Sequence, residues 1–402
     1  MIEIQGKRNS AIVYAVKLDK ETKTQIAELL RNEAFSDAKI RIMPDAHSGK
    51  GCVVGTTMTL NGRICPSLVG VDIGCGIETV VLGAEKIDLP RLDALIFSHI
   101  PSGSRVHEKP LPVASSIDLS GLHCFSKINM ERAYRSIGTL GGGNHFIELD
   151  RDSDGTLYLV IHSGSRQLGS DVAKYYQDAA YRYQYKKAKR STRASSFEQK
   201  EDEAEFPDHF EYYSRRRNRE KRTTDVSYGK AILDGELYES YLHDISIVRE
   251  FARINRKAMA DTIIKGMGLC EVDRFSNVHN YVDTERMILR KGAVSANLGE
   301  RLVIPLNMRD GVLICTGLGN PEWNFSAPHG AGRVCSRTEA KYTYSVEEYQ
   351  KQMEGIYTTT ANANSIDECP MVYKAPEHII SMVKESVRID RVVKPIYNFK
   401  AC

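Results

Sequence analysis

Short apolar runs that end in glycine-rich turns are the feature of this sequence that most restricts its fold. Up to about residue 80, runs such as AIVYAV, CVVGTTMTL and SLVGVDIGCGIETVVLG follow one another with turns of this kind between them. The same pattern returns at 138–169 and at 286–335. Runs of this length and composition are typical of β-strands joined by tight loops. The chain is therefore expected to be built on sheets, with polar residues gathered at the strand ends.

A second pattern separates these sheet-forming regions. From about 175 to 265 the sequence is rich in charge, and its last part, from Ala231 to Ile264, has apolar residues at mostly helical spacing. We interpret this region as an inserted helical layer whose middle, near 190–225, is a solvated loop or partly disordered. Two more helices are predicted in SVEEYQKQMEGIYTTT and PEHIISMVKESVRIDRVVKPI. The fold class that follows is α/β, in the mixed α+β sense.

Charge and cysteine content exclude several classes of protein. Lys and Arg number 55 against 52 Asp and Glu, so the net charge of +3 does not indicate a nucleic-acid binder, and any RNA-binding surface must be local. The nine cysteines include no CxxC pair, which favours a reducing compartment over a disulfide-stapled secreted domain. Neither a signal-peptide pattern nor an apolar run of membrane length is present. We expect a cytoplasmic, unprocessed protein without a membrane partner.

Five residues in these turns carry side chains that bind metals. Asp72 and Cys75 stand three apart in VGVDIGCG, and His145, His162 and His279 lie in similar settings beside small or polar residues. Cys75 taken alone is as well explained as an inert buried residue, and each histidine as a structural one. As a set they offer a carboxylate, a thiolate and imidazoles, which together suit a divalent metal without identifying the ion.

The string SAPHGAGRVCSR offers a candidate nucleophile. His329 is followed by three small residues, Gly330 to Gly332, and then by Arg333 and Arg337. Small neighbours let a phosphate approach the imidazole, arginines neutralise charge that develops in phosphoryl transfer, and histidine can carry a covalent intermediate. The alternative is a glycine-rich turn with a surface histidine.

A second glycine-rich loop, MPDAHSGKG, offers Asp45, His47 and Lys50. It either holds a phosphate or forms a charged turn, and the residues alone leave both open. Neither a Walker A sequence nor a GxGxxG fingerprint is present, so a P-loop or Rossmann site is not supported.

Taken in order, these motifs resemble the RtcB family of RNA ligases. The resemblance rests on MPDAHSGKG, VGVDIGCG, GTLGGGNHFIE, HSGSR, HNYV, RKGAVSA, HGAGR, SRTEAK and the closing Lys400, and it runs from about residue 40 to the C-terminus. Only the region from about 175 to 265 lacks clear correspondence. The resemblance implies a single RtcB-like catalytic domain over residues 1–402, with mixed sheets around a central metal site and a helical, charged insertion.

The resemblance also implies roles for individual residues. Asp72, Cys75 and His145 would bind one Mn²⁺, and Cys75, His162 and His279 a second. His329 would form a covalent adduct with GMP from GTP. The implied nucleotide contacts are Asn144, His145, Phe146, Ile147, Glu148, His279, Asn280, Pro305, Leu306, Asn307, Met308, His329, Gly330, Ala331, Gly332 and Lys400. The implied phosphate or RNA contacts are Asp45, Arg333 and Arg337.

The activity implied is GTP- and Mn²⁺-dependent joining of RNA 3′-phosphate or 2′,3′-cyclic phosphate ends to 5′-hydroxyl ends, in RNA repair or tRNA splicing, with an archease-type activator as a further partner. One segment departs from the family, which commonly reads PGSM followed four residues later by serine. This chain has PLNM at 305–308 and Val312 in the serine position. Because those family residues lie in the nucleotide pocket, the competing hypothesis is a metal-dependent 2′,3′-cyclic phosphodiesterase without nucleotide-dependent sealing.

A non-catalytic RNA-binding or structural protein is a third hypothesis. Its support is the basic segment with KKAKR and RRRNREKR, interleaved with tyrosines, which is either a guide for RNA or a solvated charged face. The tyrosines concerned are Tyr181, Tyr183, Tyr185, Tyr212 and Tyr213. This hypothesis gives no reason for the five metal-binding residues and His329 to occur together.

Overall fold

Two main sheets and two long helices dominate the structure, which is a computed structural model. It describes residues 1–84, 86–194 and 228–401, without the side chains of 188–194. Segment 195–227, which holds Tyr212, Tyr213 and most of the predicted loop at 190–225, lies outside the described residues. Within the described ranges, no helix is long and apolar enough to span a membrane.

The predicted mixture of strands and helices is confirmed. The strands are β1 (Ile2–Gln5), β2 (Ser10–Val13), β3 (Ile40–His47), β4 (Val54–Thr59), β5 (Arg63–Ile64), β6 (Gly76–Leu82), β7 (Phe146–Arg151), β8 (Leu157–Ser163), β9 (Leu233–Asp234), β10 (Glu271–Val278), β11 (Asn280–Asp283), β12 (Ile288–Lys291), β13 (Ala293–Ser295), β14 (Arg301–Asn307), β15 (Gly311–Gly317), β16 (Ser326–Pro328) and β17 (Val387–Lys400). The helices are α1 (Lys20–Leu29), α2 (Pro66–Val69), α3 (Leu89–His99), α4 (Met130–Arg135), α5 (Arg166–Ala194), α6 (Gly235–Met267), α7 (Arg337–Thr343), α8 (Val346–Gln352) and α9 (Pro376–Met382).

The two main sheets have mixed and antiparallel pairing. The first has the order β1-β2-β3-β4-β12-β11, and its one parallel pair among the described strands is β2 with β3. The second has the order β10-β6-β8-β7-β17-β15-β14. Val303 and Val312, from the far edge of the second sheet, pack in one buried cluster with Phe146 and Val160. The second sheet therefore curls until strands distant in its order face each other.

The opposite face of the second sheet is covered by helices. Ile147 and Ile161 point to this face and share a buried cluster with Met259 and Ile263 of α6 and Ile96 of α3. Strands covered on both faces become continuously apolar, which explains why every residue of β8 is buried. Helix α6 is thus part of the main core. The two long helices begin at Arg166 and end at Met267, so the helical region extends beyond the insertion predicted at 175–265 on both sides.

Both helices predicted in the C-terminal region are confirmed, as α8 and α9, but the second is shorter than its string. From Val387 onward, PEHIISMVKESVRIDRVVKPI continues as β17, which is hydrogen-bonded to β7 on one side and β15 on the other. The β-branched residues of this stretch suit a strand, and its two partners are distant in sequence. The secondary structure of this segment is therefore set by pairing with β7 and β15, because its local sequence pattern fits either a helix or a strand.

Candidate active site

A cavity of about 880 Å³ lies where loops from both main sheets meet. Most of the predicted nucleotide contacts line it. They are Asn144, Phe146, Glu148, His279, Asn280, Pro305, Leu306, Asn307, Met308, His329, Gly330, Ala331, Gly332 and Lys400. Arg333 and Arg337 line it as well. The motifs singled out from the sequence are thus brought to one place.

The five predicted metal ligands form a single cluster at one end of this cavity. Cys75 Sγ lies 3.5 Å from His145 Nε2 and 3.2 Å from His162 Nε2. His145 Nε2 is 3.2 Å from Asp72 Oδ2, and His162 Nε2 is 3.3 Å from His279 Nε2. The donor atoms divide into two groups of three that share the Cys75 sulfur.

Strand order brings these ligands together. Cys75 comes just before β6, His145 just before β7, and His162 lies in β8, which pairs with both of those strands. Gly74 has φ +75°, and a Cβ there would lie 2.9 Å from the backbone of Arg249 on α6. The glycine is therefore needed both for the left-handed turn and for the close approach of the helix.

Backbone carbonyls fix the orientation of two of the imidazoles. His145 Nδ1 lies 2.8 Å from the Leu140 carbonyl and His162 Nδ1 lies 3.0 Å from the Asn144 carbonyl. A carbonyl only accepts, so each Nδ1 donates, and each Nε2 faces Cys75 with a free lone pair. This is the arrangement that metal-binding histidines usually have.

Side chains of α6 donate hydrogen bonds to the backbone of the segments that carry Cys75 and His162. The buried Arg256 donates to the Gly74 carbonyl at 2.8 Å and to the Ser163 carbonyl at 3.0 Å. Asn255 donates to the Gly164 carbonyl at 3.0 Å. These contacts tie the loop before β6 to the end of β8, and so set the separation of Cys75 and His162.

Electrostatics in the cluster favour a bound cation. Burial raises the pKa of the Cys75 thiol well above its usual range, and the Asp72 carboxylate adds to that rise. Burial lowers the pKa of His162 and of His279 well below their usual range. Burial opposes ionisation of Asp72 as well, but the neighbouring His145 outweighs that effect and brings the pKa of Asp72 to about 2.

The donor set and its spacing fit divalent ions. First-row ions bound at roughly 2.0–2.3 Å by nitrogen and sulfur have tetrahedral ligand atoms roughly 3.3–3.7 Å apart. The neighbouring donors here are separated by 3.2 to 3.5 Å. Imidazoles, a carboxylate and a sulfur at these distances suit a divalent transition-metal ion.

His329 lies beside this cluster and is oriented by a buried carboxylate. Its Nδ1 is 2.6 Å from Asp45 Oδ2, and its ring centre is 4.9 Å from that of His279. Gly332 makes this contact possible, because its φ is +75° and a Cβ there would lie 2.2 Å from the Asp45 carbonyl oxygen. Asp45 is fully buried behind His329 rather than on the cavity wall, so its contact is with the imidazole instead of the expected phosphate.

The other end of the cavity holds a charged network that the sequence did not predict. Glu368, which is buried, is 3.0 Å from Lys400 Nζ, 3.2 Å from Arg333 and 2.6 Å from Arg337, and it accepts from the Tyr373 hydroxyl at 2.5 Å. Burial opposes its charge, yet Lys400 and Arg337 lower its pKa to about 2. Arg333 and Arg337, predicted to contact phosphate, are thus paired with a protein carboxylate.

Comparison with known proteins agrees with this geometry. A family model described as tRNA-splicing ligase RtcB matches residues 25–122 and 114–401. This chain belongs to the RtcB family. The RNA-splicing ligase RtcB of Escherichia coli (strain K12) is 30% identical to it, with 87% of each chain covered. The tRNA-splicing ligase RtcB of Aeropyrum pernix is 26% identical, with 96% of this chain and 93% of the relative covered. That of Methanococcus maripaludis is 25% identical, with 86% and 84% covered.

Two of the predicted nucleotide-binding residues of this RtcB-family chain, His145 and Ile147, do not line the cavity. Ile147 is fully buried in the core on the helix-covered face of β7, because successive side chains of a strand point to opposite faces. Phe146 and Glu148, on either side of it, face the cavity. The prediction for Ile147 is therefore wrong. His145 lies behind the lining, within the metal-binding cluster.

Segment 305–310, which was expected from the resemblance to depart from the family pattern, forms a closed turn. The Asn307 amide donates to Asp310 at 2.7 Å, and its oxygen accepts from the backbone of Arg309 and of Asp310. Val312 is fully buried against Phe146 and Val393. The polar groups of this turn are therefore engaged with the turn itself, and the position of the family's serine is apolar.

Proposed function

We propose that this chain is a GTP- and Mn²⁺-dependent RNA ligase that joins RNA 3′-phosphate or 2′,3′-cyclic phosphate ends to 5′-hydroxyl ends through a covalent histidine–GMP intermediate. The observation that carries the proposal is the position of His329, held by the buried Asp45 and set 4.9 Å from the ring of His279. The names of the relatives, RNA-splicing and tRNA-splicing ligases, support RNA as the substrate and ligation as the reaction.

In the first step Nε2 of His329 attacks the α-phosphorus of GTP. An N–P bond forms, the bond to the β-phosphate oxygen breaks, and pyrophosphate leaves. Because Nδ1 donates to Asp45, Nε2 carries the lone pair that attacks. The ring gains positive charge as the N–P bond forms, and the Asp45 carboxylate on its other side stabilises that charge.

Two further transfers complete the reaction. An oxygen of the RNA 3′-phosphate attacks the guanylyl phosphorus and displaces His329, so that the RNA end carries GMP. The 5′-hydroxyl of the second RNA then attacks the terminal RNA phosphorus, GMP leaves and a phosphodiester forms. A 2′,3′-cyclic phosphate would first be hydrolysed to the 3′-phosphate. Arg333 and Arg337 would contact these phosphates by exchanging Glu368 for an incoming anion.

The metal ligands divide between two ions in this proposal. Asp72, Cys75 and His145 would hold one Mn²⁺, and Cys75, His162 and His279 the other. When bound, the two ions supply positive charge that orients the attacked phosphate and stabilises the negative charge that develops on it. The chain contributes the imidazole of His162, which burial keeps neutral and which the Asn144 carbonyl keeps aimed at the shared sulfur.

End-specific ligation tests the proposal. The protein is incubated with Mn²⁺ and two RNA oligonucleotides, one with a 3′-phosphate and one with a 5′-hydroxyl, with and without GTP. We expect a joined product with GTP and none without it, and no joining of a 3′-hydroxyl to a 5′-phosphate. Joining that does not need GTP in protein freed of nucleotide would contradict the proposal.

The closed turn at 305–310 favours a second candidate function, a metal-dependent 2′,3′-cyclic phosphodiesterase. Because Asn307 is engaged by Asp310 and Val312 is buried, this wall presents fewer free polar groups to a base than a serine-containing turn would. The second function predicts opening of a 2′,3′-cyclic end with Mn²⁺ alone and no joined product with GTP. The same oligonucleotides therefore separate the two functions.

We also propose that the protein works in the cytoplasm, in RNA repair or tRNA splicing, with an archease-type activator. All cysteines in the described ranges are free, and a thiol that serves as a metal ligand needs reducing conditions. Repeated turnover is the relevant test of the activator. We expect archease to raise the number of ligations per protein molecule, and an unchanged number would count against its role.

A further inference from the structure

A second group of metal-binding side chains lies on the surface, away from the Cys75 cluster. His123 precedes a short 3₁₀ helix, Phe125–Lys127, while His243 and Asp244 are neighbours on α6. One donor atom from each of the three residues lies within 4.8 Å of the others. The two imidazole centres are 4.8 Å apart, with their planes at 67°. The two histidines are exposed, so an ion from solvent can reach them.

Asp244 gives this group an unusual electrostatic setting. Its carboxylate is fully buried and accepts the backbone N–H of His123 at 2.9 Å, that of Cys124 at 3.2 Å and the hydroxyl of Tyr176 at 2.8 Å. All three donors are neutral. In the described part of the chain, its ion pair is with His243 alone, at 3.1 Å. A buried carboxylate without a fixed cation is costly, so a positive charge beside it, where the two imidazoles lie, is favoured.

We propose that His123, His243 and Asp244 form a separate site for a divalent transition-metal ion of the Zn²⁺ class. Two imidazoles and one carboxylate are a donor set that such ions prefer, and three protein ligands leave a position for water. The ion compensates the buried Asp244 charge from the side where the backbone donors do not reach it.

A metal here would fasten a surface segment to the helix that supports the catalytic centre. His123 belongs to the connection between α3 and α4, and α6 carries Asn255 and Arg256, which hold the loops of the Cys75 cluster. Thirteen residues separate His243 from Arg256, or roughly 20 Å along a helix. The site is therefore distinct from the catalytic one and acts on the same helix.

Zn²⁺ binding measured by equilibrium dialysis tests the proposal. The Cys75→Ala variant, in which the shared sulfur is gone, is compared with Cys75→Ala carrying also His123→Gln and His243→Gln. We expect the additional substitutions to remove one equivalent of tightly bound Zn²⁺ and to weaken that binding at least ~100-fold, since two of three ligands are lost. Cys75→Ala with His99→Gln, another exposed histidine, is the matched control and keeps the equivalent.

Co²⁺ supplies an independent readout in the wild-type protein. Ions at the Cys75 cluster give sulfur-to-metal charge-transfer absorption, whereas an ion bound by His123, His243 and Asp244 gives only weak visible bands. We expect His123→Gln with His243→Gln to lose one Co²⁺ and leave the charge-transfer band unchanged. An unaltered number of bound Zn²⁺ and Co²⁺ ions would overturn the proposal.

Discussion

The two ends of the catalytic cavity solve the problem of buried charge in different ways. At the metal end, Asp72 and Cys75 face three imidazoles, and in the described structure no lysine or arginine forms an ion pair with Asp72, so a bound cation would balance the charge of this group. At the other end, Lys400, Arg333 and Arg337 already surround a protein carboxylate, Glu368. Charge at the metal end would be balanced only by a bound ligand, whereas charge at the other end is balanced within the protein.

The side chains at the metal end are fixed in position before a ligand binds, whereas those at the other end can change partners. Two of the three imidazoles at the metal end, those of His145 and His162, are held by backbone carbonyls, so their Nε2 atoms are aimed at Cys75 before any ligand binds. The cations at the nucleotide end can pass from Glu368 to a phosphate with little change in their charge balance. We therefore expect substitutions at the metal end to abolish chemistry, and substitutions at the nucleotide end to alter nucleotide binding and stability.

Cys75→Ala should have the largest effect, because both metal groups lose their shared ligand. Loss of a residue that only orients a metal ligand typically lowers metal affinity or activity ~10- to 100-fold. Cys75 would itself be a ligand of both ions, so we expect its loss to lower the rate of ligation roughly 1000-fold. Metal content measured by mass spectrometry should fall for both catalytic ions. Cys315→Ala, a buried cysteine in a different core cluster, is the control and keeps its metals. Wild-type metal content in Cys75→Ala would show that the sulfur is not a ligand.

Asp45→Asn should have the next largest effect. The amide keeps the size of the side chain but removes the charge that faces His329 Nδ1, so we expect adduct formation to slow roughly 100-fold, as for other carboxylates that orient an imidazole. Single-turnover kinetics should show the loss in rate, with the affinity for GTP and the metal content unchanged. Asp37→Asn, at an exposed carboxylate, is the control. A loss confined to nucleotide affinity would instead favour a phosphate-side role for Asp45.

Metal affinity should rise with pH. A thiol whose pKa is raised must lose its proton when the ion binds, whereas His162 and His279, whose pKa values are lowered, are already deprotonated. Affinity should therefore increase about tenfold per pH unit between roughly pH 7 and pH 9. Calorimetry in buffers of different ionisation enthalpy should report the proton that Cys75 releases. A pH-independent affinity would mean that the thiolate exists before the metal arrives.

Glu368→Gln should have the smallest effect on chemistry. Lys400, Arg333 and Arg337 lose the charge of Glu368, although Arg337 keeps its ion pair with Asp367. We therefore expect a loss of stability of roughly 3 kcal/mol and only a severalfold change in the rate of adduct formation. A polyphosphate can replace the missing charge, so GTP should raise the melting temperature of Glu368→Gln more than that of the wild type. Equal GTP-dependent shifts would show that the cations do not exchange Glu368 for phosphate. Glu339→Gln, an exposed cavity-rim carboxylate, is the control.

The catalytic cluster was predictable because each motif ends an apolar run at a glycine-rich turn. Because β6, β8 and β7 are neighbours in the second sheet, Cys75, His145 and His162 lie together at the same end of these strands. Glu368 was not predictable in this way, because SIDECP carries no recognisable spacing and its partners lie in distant segments. The position of Asp45 behind His329 likewise depends on the approach of Gly332, which only the folded chain brings about.

Other outcomes depended on pairing that local pattern does not encode. β17 forms between two strands that are distant in sequence, so the local pattern did not show where the predicted helix before it ends. The helical character of α5 and α6 was predicted, but their place in the core was not, because the apolar face of α6 becomes meaningful only against β6 and β8. Ile147 could have been assigned to the core from the two-residue period of β7 alone.

The most direct test of the central claim is transfer of label from [α-³²P]GTP to the metal-loaded protein in the presence of Mn²⁺. The account predicts a covalent adduct that is stable to alkali and labile to acid, as a histidine phosphoramidate is, and that is absent in His329→Ala but retained in His99→Ala. An adduct that persists in His329→Ala, or GTP-dependent joining of RNA ends by a protein that forms no adduct, would contradict it.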